Sequence, residues 1–432
     1  MEVAFNMKFN REKLWILILL FWPVFIFAQE SDSIARLPDL IEEGINNNPD
    51  LLASYHNWQA DQAKVPQAGA LPDPQLSFNL LNMPMNTFDF NQEPMTGKQI
   101  ALMQMFPFPG KQGLRADIAQ SGAEVSRAKN QELKNQLVKN IKQTYYDLFF
   151  IDQSLETVQK NSGVLQDFIN IAESKYTVGK GLQQDVLKAQ VELSKLEEKA
   201  VSLQQKRRAT TARLNTLLNR PAGTPLGKTI APEPDSLKMD LVKLEELAEK
   251  NRPLLQAWNS MLQQSRQKVS LAKKEYLPDF KLGVAYTQRD KLENGAGGVD
   301  FLSGLFTVDI PLYFWRKQDK KVEETRYNQE MVQESYQNVQ NQVYSNLDET
   351  SSDVDKNFRL LNLYKTGIIP QATQSLNSAI AGYQTDKVDF LTLLNNQMTL
   401  FNFELDYYRF LSDYSKGMAD LEAATGVKLT RE

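Results

Sequence analysis

Few residues in this 432-residue chain are of the types that do chemistry. There is one histidine, His56, and no cysteine, so neither a Cys-His nucleophile pair nor a thiolate metal site can be assembled. His56 lies in a helical stretch ahead of a strand-like segment and reads as a solvated helix-surface residue. Softer chemistry is offered by Met83, Met85, Met95, Met103 and Met105, whose thioethers suit Cu(I) and which bracket one hairpin-like stretch. Methionine is also an adaptable packing residue, and wall and loop packing is the simpler use of these five, so no metal site is assigned. The glycines of Asn294-Gly295-Ala296-Gly297-Gly298 lack a phosphate-binding spacing and read as a loop between strands. No cofactor is expected, and nothing here reads as an enzyme.

The elements that hold these residues say more. Charged residues make up 24% of the chain and the formal charge is only -4, which argues against a nucleic-acid binder. Lys8, Arg11 and Lys13 precede an apolar run from Leu14 to Phe27, too short for a comfortable span of about 20 residues, and residues 1–28 read as a signal peptide. Cleavage after Ala28 would leave Gln29 first, although Ile26 is larger than the small residue such sites favour; an uncleaved anchor is the alternative. No later stretch is apolar for long enough to make a membrane helix. If the chain spans a membrane, it does so with strands.

The chain is written twice. Leu71-Pro72-Asp73 returns as Leu277-Pro278-Asp279, 206 residues on, and Gly110-Lys111-Gln112 faces Arg316-Lys317-Gln318 at the same separation. Tyr176 and Gln190 are matched by Tyr383 and Gln397 at 207, and Asn48-Pro49 by Arg252-Pro253 at 204. The boundaries are a first repeat over 29–220, a Pro- and Gly-rich connector over 221–236, and a second repeat over 237–432. Each repeat runs helix, two strands, long helix, Tyr-centred turn and returning helix.

From Gln112 to about Lys175 there is no proline, and Leu137, Ile141, Tyr145, Leu148, Leu155, Val158, Leu165, Phe168 and Ala172 form one stripe at helical spacing. These roughly 64 residues predict a rod of about 95 Å. The second copy, Gln318 to about Ala381, matches it but contains Gly367 and Pro370. Returning helices over Leu182–Asn219 and Val388–Ala424 should pack on the rods as antiparallel coiled coils. The strands show a period of two: Phe280, Leu282, Val284 and Tyr286 alternate with Lys281, Gly283, Ala285 and Thr287, and Leu302, Phe306, Val308, Ile310 and Leu312 alternate with Ser303, Thr307 and Asp309. In the first copy Leu76, Phe78 and Leu80 alternate with Ser77 and Asn79, and Ile100 to Phe108 follows less cleanly. Such strands suit a transmembrane barrel, yet four cannot close one. Counting strands leaves two, three or four copies open. Phe106, Phe108, Tyr313, Phe314 and Trp315 fall where an interfacial girdle would sit, and Lys111, Arg316 and Lys317 could reach lipid head groups.

Nearly the whole mature chain resembles the TolC-type outer-membrane efflux proteins. The resemblance rests on Tyr176-Thr177-Val178-Gly179 with Asp185-Val186-Leu187 and Gln190, on Tyr383-Gln384-Thr385-Asp386 with Leu393-Leu394-Asn395, and on the repeat ending Leu214-Asn215-Thr216-Leu217-Leu218-Asn219-Arg220-Pro221. It implies a mainly α chain with a membrane β-barrel. Four strands per chain would build a trimeric twelve-stranded barrel continuing into a periplasmic α-helical barrel. The implied partners are two further copies, outer-membrane lipid, a periplasmic adaptor (membrane fusion) protein and an inner-membrane pump. The Tyr-centred turns would form the periplasmic tip and gate, and the loops Pro84–Gly97 and Gln288–Gly298 would face outward. Asp185 and Tyr383 resemble members of the polar set that closes the tip in relatives, where Val388 replaces a linking arginine. Thr392 and Asn395 occupy positions that carry an acidic ring in relatives, so that ring is not expected. Asp386 and Asp389 are candidates for negative charge at the entrance. A cell-surface structural coiled-coil protein without a through-pore is the alternative, opposed by the outward apolar faces of the strands; a pump-independent porin is opposed by the long rods.

Overall fold

The computed structural model describes residues 34–235 and 240–429, so the expected signal peptide lies outside the described residues. The first repeat comprises β1 (Ile34–Ala35), α1 (Leu37–Asn47), α2 (Pro49–Gly69), β2 (Gln75–Leu81), β3 (Gly97–Phe106), α3 (Lys111–Thr177) and α4 (Gln183–Leu217). After β4 (Lys228–Thr229) the second repeat follows as α5 (Leu241–Asn251), α6 (Pro253–Lys274), β5 (Asp279–Gln288), β6 (Phe301–Asp309), α7 (Gln318–Leu363), α8 (Ile369–Gln384) and α9 (Phe390–Thr425).

The rods form where the apolar stripe foretells them. Of the stripe on α3, every member but the partly buried Leu155 is buried, with Ile141, Leu148 and Leu165 fully so. Each such side chain contributes about 1.5–3 kcal/mol through burial, which far exceeds what helix propensity offers a chain this polar. At 67 residues α3 is about 100 Å long. In the second copy α7 is followed by one π-helical turn, Tyr364–Ile368, before α8 takes up the same line with Pro370 in its first turn. Proline is tolerated there because its missing N–H falls where the preceding turn is already widened.

The helix expected ahead of each strand pair is two helices. Asn48 breaks the first: its Oδ1 accepts from the N–H groups of Asp50 and Leu51, both at 3.1 Å, and its Nδ2 donates to Leu217 O at 3.1 Å. Pro49 and Pro253 each open the second helix of the pair. The connector is clipped to α3, where Asp152 accepts Thr229 Oγ1 at 3.0 Å and Tyr145 Oη accepts the Ile230 N–H at 2.8 Å while donating to Ala35 O of β1 at 3.0 Å. The parallel β1–β4 pair that results involves two residues on each side.

The four long strands make one antiparallel sheet in the order β2-β3-β5-β6, which leaves β2 and β6 as open edges. Register sets Leu76 opposite Leu102, Leu102 opposite Val284 and Leu282 opposite Phe306, so one face is a continuous apolar row. Those side chains are exposed: Phe78 to 73%, Val284 to 56% and Phe306 to 66%. The opposite face carries Asn79, Gln99 and Thr287, linked in a ladder with both contacts at 3.1 Å. β6 stops at Asp309 rather than continuing to Leu312, because Pro311 has no N–H for the ladder and Leu312 N turns back onto Ile310 O at 3.0 Å.

Candidate functional site at the two hairpin turns

Both rods end in the same backbone device. Gly179 N donates to Tyr176 O at 3.0 Å and Lys180 N to Lys175 O at 2.8 Å; Asp386 N donates to Tyr383 O at 3.3 Å and Lys387 N to Gly382 O at 2.8 Å. These are paired Schellman closures, which need a left-handed residue at the turn. Gly179 takes it at φ +73 without strain, while in the second copy the position falls to Asp386 at φ +58, a residue type that tolerates it. Gly179 thus serves as the C-cap of α3.

The two turns meet through a residue that sequence inspection missed. Lys175, in the last turn of α3, directs its ammonium across to the second hairpin, where it donates to the Tyr383 carbonyl, lies 2.5 Å from Asp386 Oδ1 and sits 4.2 Å from the centre of the Tyr383 ring. Lys175 Nζ holds the Asp386 carboxyl below its ordinary range. Tyr383 is buried and packs edge-to-face on Phe390 with centroids 5.5 Å apart. Burial first, and then the nearby Asp185 and Asp386 carboxylates, push its phenol pKa up. Lys175 immediately precedes the Tyr-x-Val-Gly turn, and no sequence pattern pairs it with Asp386, 211 residues away.

The remaining expected residues divide into two groups. Asp389 is the N-cap of α9, accepting the Thr392 N–H at 2.7 Å and the Thr392 hydroxyl at 3.2 Å; that backbone N–H lowers its pKa. Asp185 sits in the first turn of α4, near enough to Tyr383 for its charge to be felt. Val388 packs over Gly382, where an added Cβ would meet its Cγ2 at 2.5 Å. Tyr176 and Val178, by contrast, are exposed to 47% and 67% and are not brought to this cluster. Asn395 lines a groove of about 520 Å³ between α4 and α9 with Leu187, Val191 and Leu391.

Deeper in the coiled coil is one polar layer. Gln397 is buried and donates to Asn161 Oδ1, Asn161 Nδ2 donates to Thr157 O at 2.8 Å, and Lys160 reaches Glu404 at 3.1 Å. Gln397 Oε1 has no protein partner. Apolar seams tolerate slippage and buried polar contacts do not, so this layer, together with the Lys142–Glu422 pair nearer the sheet end, pins the register of α3 against α9.

The methionines do not converge. Met103 and Met105 lie on β3, and Met103 is six residues from its loop end, so roughly 20 Å of strand separates it from Met83, Met85 and Met95. Among the described residues no group of three His, Cys, Asp or Glu is placed to hold a metal, and no helix is long and apolar enough to cross a membrane. At the junction of sheet and rod, Lys111 does not reach outward: it is buried and bonded to Asp279.

The sequence model of the outer membrane efflux protein family matches residues 40–220 and 244–427, one repeat each. The cobalt-zinc-cadmium resistance protein CzcC of Cupriavidus metallidurans is 20% identical over 393 residues, 87% of this chain and 86% of that protein. Among solved structures, the outer membrane protein VceC of Vibrio cholerae superposes with a TM-score of 0.75 at 18% identity, covering 91% of this chain and 97% of the other. The open state of the MtrE outer membrane channel of Neisseria gonorrhoeae superposes with a TM-score of 0.73 at 14% identity over 92% and 90%.

Proposed function

We propose, from the premise that this chain belongs to the outer membrane efflux protein family, that three copies close a twelve-stranded barrel whose rods join into one periplasmic conduit. The chain is an efflux channel subunit of the outer membrane with its helical part in the periplasm, and such channels work with adaptor and pump partners. The observation that carries the oligomeric reading is the isolated sheet, with four strands, two open edges and one exposed apolar face; three is the number that the family resemblance implies. In hydrocarbon an unpaired strand edge costs several kcal/mol for each orphaned polar group, so the edges must be closed by further copies. The apolar row faces lipid, and the Asn79-Gln99-Thr287 ladder faces the lumen.

At the far end, the turns around Tyr176, Val178 and Gly179 and around Tyr383 and Asp386 form the tip against which the adaptor docks. Asp185, Asp389, Thr392 and Asn395 line the approach to it. Exposure of Tyr176, Val178 and Leu182 suits docking, and the Lys175 contacts suit a closed resting state. Substrate passes through and no chemistry is done on it.

Two measurements test this. Light scattering of the detergent-extracted protein should return three chains per particle, and planar-bilayer recording should show conductance that rises when Lys175 is replaced. A single-chain particle, or no conductance in any tip variant, would favour a scaffold without a through-pore.

A further inference from the structure

A chain that carries one unit twice already contains one joint between a first unit and a second. The same faces are then left bare at the outer sides. At the internal joint β3 pairs with β5, and Lys111, only 4% exposed, donates to Leu277 O at 2.7 Å and to Asp279 Oδ1 at 2.8 Å. Phe108 N–H donates to the same carboxylate oxygen at 2.8 Å. The twins of Leu277-Pro278-Asp279 and Lys111, 206 residues away in each case, are Leu71-Pro72-Asp73 and Lys317. Asp73 and Lys317 are exposed, and among the described residues neither side chain has a hydrogen-bond or ion-pair partner.

The rods repeat the pattern. On α3, Ser121 is 5% exposed and donates to Gln267 of α6 at 2.8 Å, and Val125, one turn further, is 8% exposed. Their twins on α7, Tyr327 and Met331, are exposed to 63% and 59%. Ala257 on α6 is 2% exposed, whereas its twin Ala53 on α2 is open to solvent. A tyrosine and a methionine standing in water on one rod, and bare small residues on the other, are a covered interface seen without its cover.

We propose that the second unit of one copy docks on the first unit of the next through the contacts of the internal joint, with Lys317 donating to Asp73 of the partner subunit. This rests on the homo-oligomeric reading above and specifies its seam. Lys317 also takes the carbonyl of the partner subunit's Leu71, and Tyr327 and Met331 are covered by α2 of the next copy. Strand register follows as well. β2 corresponds to β5 at 206, while Phe106-Pro107 corresponds to Ile310-Pro311 at 204, the two extra residues falling in the turn before Lys317. The internal pair Leu102 opposite Val284 then translates into Phe306 opposite Phe78 of the partner subunit, and both phenylalanines point from the apolar face.

The chain has no cysteine, so engineered pairs report cleanly. In full-length protein extracted in detergent, Phe306→Cys combined with Phe78→Cys should oxidise to covalent dimers and trimers, because directly opposed strand residues are within disulfide reach. Phe306→Cys with Leu80→Cys should not. The reverse pattern in an intact oligomer overturns the register. Lys317→Glu and Asp73→Lys should each speed subunit dissociation about tenfold, the scale of one charge-assisted hydrogen bond, and the double reversal should restore it. Dissociation unchanged in either single variant, or no restoration, overturns the ion pair. If the unmodified protein is monomeric by light scattering, the oligomeric reading falls first, and this seam with it.

Discussion

Replacing Lys175 with Met tests the tip most directly, because the substitution keeps the aliphatic stem and removes only the ammonium. What is lost can be sized from its surroundings. The hydrogen bond from a charged donor to the Tyr383 carbonyl is worth about 1.5 kcal/mol, the low end of its range because the site is partly solvated. The ammonium over the Tyr383 ring at 4.2 Å adds about 0.5 kcal/mol. The contact with Asp386 is left out of this sum, since that carboxylate is 62% exposed and solvent screens most of what it adds. A loss of about 2 kcal/mol shifts the balance between joined and separated turns roughly thirtyfold. Single-channel recording should show that shift as open probability, and limited proteolysis should show faster cleavage near Lys180 and Lys387. Lys175→Arg, which keeps the charge, should lie much closer to the parent. Asp386 adds a pH test. Its pKa is lowered from the ordinary 3.8, so its contribution is complete above that value and is lost as pH falls through the lower, folded one. The tip should therefore behave alike at pH 7 and pH 5 and loosen only below about 3.8. Unchanged open probability and proteolysis in Lys175→Met would refute the clasp, and opening already at pH 5 would refute the role given to Asp386.

Three further outcomes are expected. Asn161→Ala alone should lower thermal stability by about 1–3 kcal/mol by stranding the buried Gln397 amide, whereas Asn161→Leu with Gln397→Leu should be near neutral in circular-dichroism melting but lose register, read as broadened unfolding. Lys142 and Glu422 form a buried pair at 2.7 Å, so Lys142→Met should cost about 3–5 kcal/mol and Lys142→Met with Glu422→Leu much less; equal losses would count against the pair. Asp389→Asn keeps an N-cap acceptor while removing charge, and should lower cation selectivity without changing the melting temperature, whereas Asp386→Asn should lower it further by freeing Lys175. Unchanged reversal potentials in both would dismiss an acidic entrance.

How much of this was legible in the sequence depended on period and range. The seam from Leu137 to Ala172 and the alternation from Phe280 to Thr287 were readable because burial on one face imposes a period on consecutive residues. Contacts between elements impose none. Lys175 finds Asp386 211 residues away, and Lys111 finds Asp279 across the joint, so Lys111 was read as an outward-facing cation when it is an inward one. The break at Asn48 was missed for a different reason: Asn-Pro was read as a mark of the repeat, although it is also an N-cap followed by an N1 proline. Asp386 and Asp389, read from the sequence as entrance charges, carry local duties in the second hairpin turn, one balancing a lysine and the other capping a helix.

The π-helical turn at Tyr364–Ile368 reconciles two repeats of unequal length. Between the lysine that opens each rod and the tyrosine that ends it, the second copy is one residue longer, which is why the separation of 206 at Lys111 becomes 207 at Tyr176. Inserted into an ordinary helix, one residue would rotate everything beyond it by about 100°, swinging Leu376, Ala379 and Tyr383 out of the core they share with α3. A single wide turn absorbs the extra residue instead and hands the apolar stripe on unrotated. The one-residue difference between the two repeats is thus confined to a single turn, and the far ends of the two hairpins keep their alignment.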